Sequence, residues 1–189
     1  MRKQDAFTLI ELMATLGVLA IVLAMAIPAF SVWLPGYHLK SGAGDLYSEL
    51  QLTKMQAIRN NGEWAVKFIP GTGTYQVISG GPDGDYANAV DNVVEKTFVL
   101  SQYGSNTRYG HAGATVNAQD GGASFDDEIT FSEITGANDN TVVFNSRGMI
   151  NSLAGGYVYL QNSANDTYAV GVLGSGVILM RKWNGAAWE

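Results

Sequence analysis

Residues 12–34 run for 23 positions without a charged side chain, and most of them are apolar. As a helix that length crosses a hydrocarbon core about 30 Å thick. The run begins at Phe7-Thr8-Leu9-Ile10, and one carboxylate, Glu11, sits just inside its start; the next formal charge is Lys40. An acidic or basic side chain costs about 2.5–3.5 kcal/mol at the bilayer centre on insertion scales. A fold containing this segment must therefore both shelter the apolar stretch and compensate one carboxylate.

Arg2 and Lys3 precede the run, so the N-terminus is expected to stay cytoplasmic and everything after Leu34 to lie across the membrane. On hydropathy alone, a secretory signal or a plain anchor describes the segment. A signal, however, carries its small-residue cleavage site after the apolar run. Here the small residue, Ala6, comes before it.

The rest of the chain bounds the function classes. A length of 189 residues accommodates one anchored segment and one globular domain. Eleven basic against 17 acidic residues give a net charge of −6, which argues against a general nucleic-acid binder. With no cysteine, an exported domain must be held by its core and sheets alone.

The stretch Ala6-Phe7-Thr8-Leu9-Ile10-Glu11-Leu12 resembles the leader and N-terminus of type IV pilins and type II secretion pseudopilins, in which a small residue precedes Phe-Thr-Leu-Ile-Glu. The resemblance implies a leader over residues 1–6, cleavage by a prepilin peptidase between Ala6 and Phe7, and N-methylation of Phe7. Glycine is usual before the cut, so Ala6 is a departure. Cleavage would create an amine on Phe7, four residues and about one helical turn before Glu11. An exposed intrahelical pair would be worth a few tenths of a kcal/mol. In a low-dielectric filament core, a neighbouring subunit's amine would gain far more from Glu11. The resemblance supports this second arrangement over a carboxylate that merely snorkels. Pro28 lacks an N–H and clashes with the carbonyl four residues earlier, so it is expected to kink or open the helix. Pro35-Gly36 marks a second bend, and Trp33 and Tyr37 are placed as interfacial aromatics.

The transmembrane and assembly helix is expected over residues 7–36 and an amphipathic continuation over 37–62. Leu39, Ala43, Leu46, Leu50, Thr53 and Ala57 recur at spacings of four and three, with Asn60-Asn61-Gly62 as the stop. Residues 63–189 read as a β-rich periplasmic domain. Strands are expected at 64–69, 74–78, 93–101, 129–132, 141–145, 156–161, 167–173 and 176–181, several alternating as in a sheet with one wet face. Residues 80–92 read as a loop, and 102–127 as a surface excursion with at most a short strand near Thr115-Val116. The fold class is α+β, a long helix packed on antiparallel sheets in the manner of a pilin.

This second half is similar to the GspH/FimT group of minor pseudopilins. The similarity rests on Met55-Gln56-Ala57-Ile58-Arg59-Asn60-Asn61-Gly62, on Asp83-Gly84-Asp85 with Asp91, and on Val143-Phe144-Asn145-Ser146-Arg147-Gly148. It implies a structural subunit of a type II secretion pseudopilus, associated with its tip. The partners implied are other pseudopilins or pilins, prepilin peptidase, an inner-membrane assembly platform and a secreted protein substrate. The alternatives are a type IV minor pilin that primes assembly or takes up DNA, and an anchored periplasmic protein that never polymerises.

Other candidate sites carry less. Asp83, Asp85, Asn88 and Asp91 supply oxygens that could suit Ca²⁺, but an EF-hand's glycine and terminal glutamate are missing. A solvated turn is the preferred reading there, and also at Asp126-Asp127-Glu128. His38 and His111 have no nucleophile–base arrangement around them, so neither an enzyme nor a cofactor is expected. Some relatives bind DNA through a Gly-Arg-x-Arg tail. This chain has Gly176-Val177-Ile178-Leu179 there, and Arg181-Lys182-Trp183 only later, so ordinary strand-end charges are preferred over phosphate contacts.

Overall fold

The computed structural model describes residues 7–104, 106–119, 124–125, 127–131, 140–151 and 155–189, with the side chains of residues 28, 29 and 32 left aside. Residues 1–6 with Ala6, Asp126 and Ser132 lie outside the described residues. The chain forms two compact units, Met1–Leu34 and Pro35–Glu189.

In the first unit, helix α1 (Leu9–Asn60) begins at Leu9. Thr8 is its cap: the Thr8 hydroxyl accepts the Glu11 N–H at 3.3 Å, and the Thr8 carbonyl accepts from Leu12 at 3.2 Å. Thr8 and Glu11 thus hold the N-cap and N3 positions of a capping-box sequence. The backbone stays helical through Pro28. Leu9–Ile27 has a mean hydropathy of 2.4, and none of it is buried within the protein.

In the second unit, the expected stripe is the buried face of α1: Leu39, Ala43, Leu46, Leu50, Thr53 and Ala57 are all inaccessible or nearly so. The helix ends in a Schellman motif. Asn61 takes the left-handed position at φ 50°. Gly62 N–H donates to Ala57 O at 3.2 Å, and Asn61 N–H to Ile58 O at 3.3 Å.

Among the described residues, two four-stranded antiparallel sheets follow. Strands β1 (Trp64–Ile69), β2 (Thr74–Ser79), β3 (Val93–Val99) and β5 (Thr141–Phe144) form one, in the order β3-β2-β1-β5. Strands β4 (Arg108–Tyr109), β6 (Gly156–Gln161), β7 (Thr167–Val172) and β8 (Ile178–Lys182) form the other, in the order β4-β6-β7-β8. Val77 pairs with Lys96 and Ile78 with Val94, which leaves Glu95 bulged on the β3 edge. A bulge and charged side chains blunt an edge strand against further pairing.

One core joins α1 to both sheets and includes Leu46, Phe68, Phe144, Val158 and Val170. Phe68 of β1 is a buried member of it. Its ring stacks on Phe131 at 5.7 Å and meets Tyr109 of β4 edge-on at 6.3 Å.

Several expectations are corrected. Within residues 102–127 the short strand is Arg108–Tyr109, paired with Gln161 and Leu160, and Thr115-Val116 is not a strand. Ile129 makes a single bridge to Val158. β3 ends at Val99 because residues Leu100–Tyr103 wind into a 3-10 turn. β8 starts at Ile178 because Gly176, at φ 78°, closes a turn onto Leu173 O.

The second sheet also lacks the expected wet face at its centre, since every residue of β6 and β7 is buried. The described part of the excursion covers it. Ala118 and Phe125 pack on Tyr157, Tyr159 and Ala169. Ala118 N–H donates to the Tyr159 hydroxyl at 2.9 Å, and the Trp188 indole donates to Val116 O at 2.8 Å.

Candidate assembly site

The N-terminal helix presents its side chains outward. Phe7 is 80% exposed, and every side chain from Phe7 to Met25 is exposed. In a soluble domain such a surface would be untenable; here it is a face for lipid or for other helices. Glu11 lies in the first turn, where the helix dipole favours a carboxylate by about 0.3–1 kcal/mol. The cost of about 2.5–3.5 kcal/mol belongs to a charge at the bilayer centre, and Glu11 lies near one end of the apolar span. Among the described residues no cation forms an ion pair with Glu11; the ion pair there joins Lys96 and Glu49 at 3.1 Å. The bond from Glu11 N–H to Thr8 fixes the backbone of the first turn, and the exposed carboxylate is open to a partner from outside the chain. Thr8 is a capping residue that the sequence motif left without a role, and the signal that could have found it is the Thr-x-x-Glu spacing.

The acidic loop is organised by its own turns. Asp83 accepts from Asp85 N–H at 3.0 Å and from the Asn88 amide at 2.7 Å, and Asp85 accepts from Ala87 N–H at 2.9 Å. The Asn88 amide, then the Asp85 N–H, hold the Asp83 carboxyl below the usual carboxylate range. Among the described residues, no three His, Asp or Glu side chains gather as metal ligands. The loop is pinned from outside by Glu63, whose carboxylate accepts Tyr86 N–H at 3.0 Å and the Asn151 amide at 2.9 Å.

The C-terminal cations are not brought together, because adjacent residues of β8 face opposite sides of the sheet. Arg181 donates to Ala118 O at 2.8 Å and so helps hold the excursion. The Lys182 ammonium lies 6.0 Å from the centre of the Tyr168 ring. His111 stacks on Phe125 at 3.7 Å, a packing role. His38 lies edge-on to Tyr37 at 6.3 Å.

An exposed apolar helix carrying one carboxylate, followed by a helix-on-sheet domain, defines a pilin-like protein. Residues 1–27 match the prokaryotic N-terminal methylation motif, and residues 42–176 match the type II transport protein GspH family. The chain belongs to that GspH family. Among solved structures, it is similar to the minor pseudopilin EpsH from the type 2 secretion system of Vibrio cholerae. The identity is 10%, the match covers 76% of this chain and 95% of that one, and the TM-score is 0.50. The type IV minor pilin FimU of Pseudomonas aeruginosa PAO1 matches at 10% identity over 83% of this chain and 96% of its own, with a TM-score of 0.47. No curated protein matches the chain.

Membership makes the protein a pilin-like structural subunit, of a family whose members are not enzymes and associate with other such subunits in filaments. The apolar helix and the family together fit an inner-membrane anchor with a periplasmic domain.

Proposed function

We propose that the protein is a minor pseudopilin of a type II secretion pseudopilus, associated with its tip. Prepilin peptidase cuts between Ala6 and Phe7, and Phe7 is N-methylated. The subunit waits in the inner membrane, N-terminus cytoplasmic, until the assembly platform adds it to the filament. The observation that carries this reading is Glu11, the one charge in an outward-facing apolar segment, with no ion-pair partner among the described residues. The Phe7 amine of a neighbouring subunit is the partner of this carboxylate and fixes axial register. Pro28, unable to donate a backbone hydrogen bond, is the point at which the helix opens as subunits pack.

Glu11→Ala tests the mechanism. The variant should insert and be processed normally but fail to join filaments, as read by secretion and by recovery in sheared filament fractions. Normal secretion by the variant would refute the mechanism.

A role in DNA uptake as a type IV minor pilin is the second reading. The inward bond of Arg181 to Ala118 O weighs against it, since that guanidinium is committed to the fold. Salt-sensitive DNA binding by the intact protein, lost with Arg181→Ala and Lys182→Ala, would favour it instead.

A further inference from the structure

The end of the globular unit where α1 stops carries two surfaces of opposite character. On one, Leu52, Met55 and Ile58 follow one another at helical spacing and are 45%, 62% and 48% exposed, although the buried face of the same helix is complete without them. Ile58 and Lys54 reach to Gly148: a Cβ built there would lie 2.7 Å from Ile58 Cδ1 and 2.9 Å from Lys54 Cε. That places Arg147 and the exposed Met149 beside the same patch. Arg59 and Arg147 are exposed, and neither has a carboxylate partner among the described residues.

The other surface is the acidic loop. Asp83 and Asp85 are exposed, and Val90 is 93% exposed, an apolar tip inside an acidic segment. The loop is fixed against the end of the helix, since Glu63 N–H donates to Gly84 O at 2.8 Å and a Cβ on Gly62 would lie 3.0 Å from Gly84 Cα.

A cationic apolar patch and an anionic loop with an apolar tip, both at the end of the helix, are complementary in charge. In an isologous dimer a two-fold rotation would lay each against the other's counterpart. We propose that this end of the domain binds a second copy of the same chain, with Val90 of one copy seated among Met55, Ile58 and Met149 of the other. Asp83 and Asp85 face Arg59 and Arg147 across the contact. This pairing does not depend on which machine the subunit serves, and it would hold subunits together in the membrane before assembly.

The chain has no cysteine, so disulfide trapping in the full-length protein is free of background. Met55→Cys and Val90→Cys chains, co-expressed and oxidised in membranes, should give a mixed dimer in which the two introduced thiols are joined. The Arg59→Glu/Arg147→Glu pair on the Met55→Cys chain should abolish the mixed dimer, and Arg59→Lys/Arg147→Lys, which keeps the charge, should retain it. Its yield should fall as salt approaches about 1 M, where the Debye length is about 3 Å. A mixed dimer indifferent to charge reversal, or dimers of the Met55→Cys chain with itself in its place, would overturn the proposal. So would shielding of the Met55→Cys thiol from maleimide without a dimer, which would mean that a lipid or another protein covers the patch.

Discussion

Phe68→Ala probes the joint between the two sheets. Phe68 is 1% exposed, and its ring is shared between β1 and the Phe131 and Tyr109 rings on the side of the second sheet. Removing a buried phenylalanine costs about 3–5 kcal/mol through lost transfer energy and the residual cavity. The stacked and edge-on contacts put this site towards the upper part of that range, since such pairs add about 0.5–1.5 kcal/mol beyond area. The loss is a large share of the roughly 5–15 kcal/mol that stabilises a domain. Urea unfolding of a fragment from Pro35 onward is the assay, because the core that packs α1 against both sheets lies at Leu39 and beyond. With a urea dependence of about 2 kcal/mol per molar, the midpoint should fall by roughly 2 M. Val99→Ala, at an exposed edge position, should change stability by less than about 0.5 kcal/mol. A midpoint shift for Phe68→Ala of less than about 0.5 M, or about 1 kcal/mol at that dependence, would mean that the aromatic seam does not join the sheets.

Three further outcomes are expected. Burial pushes the Tyr109 phenol above its ordinary value, and its hydroxyl donates to Thr74 O at 2.8 Å. Its contribution is therefore fully present below about pH 10 and lost as pH rises further, by up to about 1.4 kcal/mol per pH unit; the slope of urea midpoint against pH should flatten in Tyr109→Phe. A Cβ on Gly171 would lie 2.3 Å from the ring of its cross-strand partner Tyr157, so Gly171→Ala should destabilise by about 1–3 kcal/mol, and an unchanged Tm would contradict the β6–β7 register. Ala6→Gly should speed leader removal in a pulse-chase experiment, and equal rates would show that the small-residue departure is immaterial.

The parts of this fold that follow a local rule were legible in the sequence. The four-and-three spacing from Leu39 to Ala57 became the buried face of α1, and β1 and β6 occupy their expected residues. The covered outer face of the second sheet was not legible. Tyr157, Tyr159 and Ala169 alternate with inward residues whether or not anything lies over them, and the cover comes from Ala118 and Phe125 in a polar, glycine-rich segment. Such contacts join residues far apart in the chain, beyond the reach of any periodicity. The Asn60-Asn61-Gly62 stop was legible, and Asn61 takes its left-handed position. At the N-terminus the Phe-Thr-Leu-Ile-Glu stretch was readable as a motif, but the structure supplied the reason Thr8 belongs in it. Glu63, which fixes the acidic loop through Tyr86 and Asn151, has no sequence signal at all.

The central claim is that Glu11 exists to meet an amine that only cleavage creates. Mass spectrometry of the N-terminus of the mature protein, from cells with and without prepilin peptidase, tests it most directly. The account predicts a chain that begins at Phe7 and carries one methyl group on its amine when the peptidase is present. A chain still beginning at Met1 in those cells would contradict it.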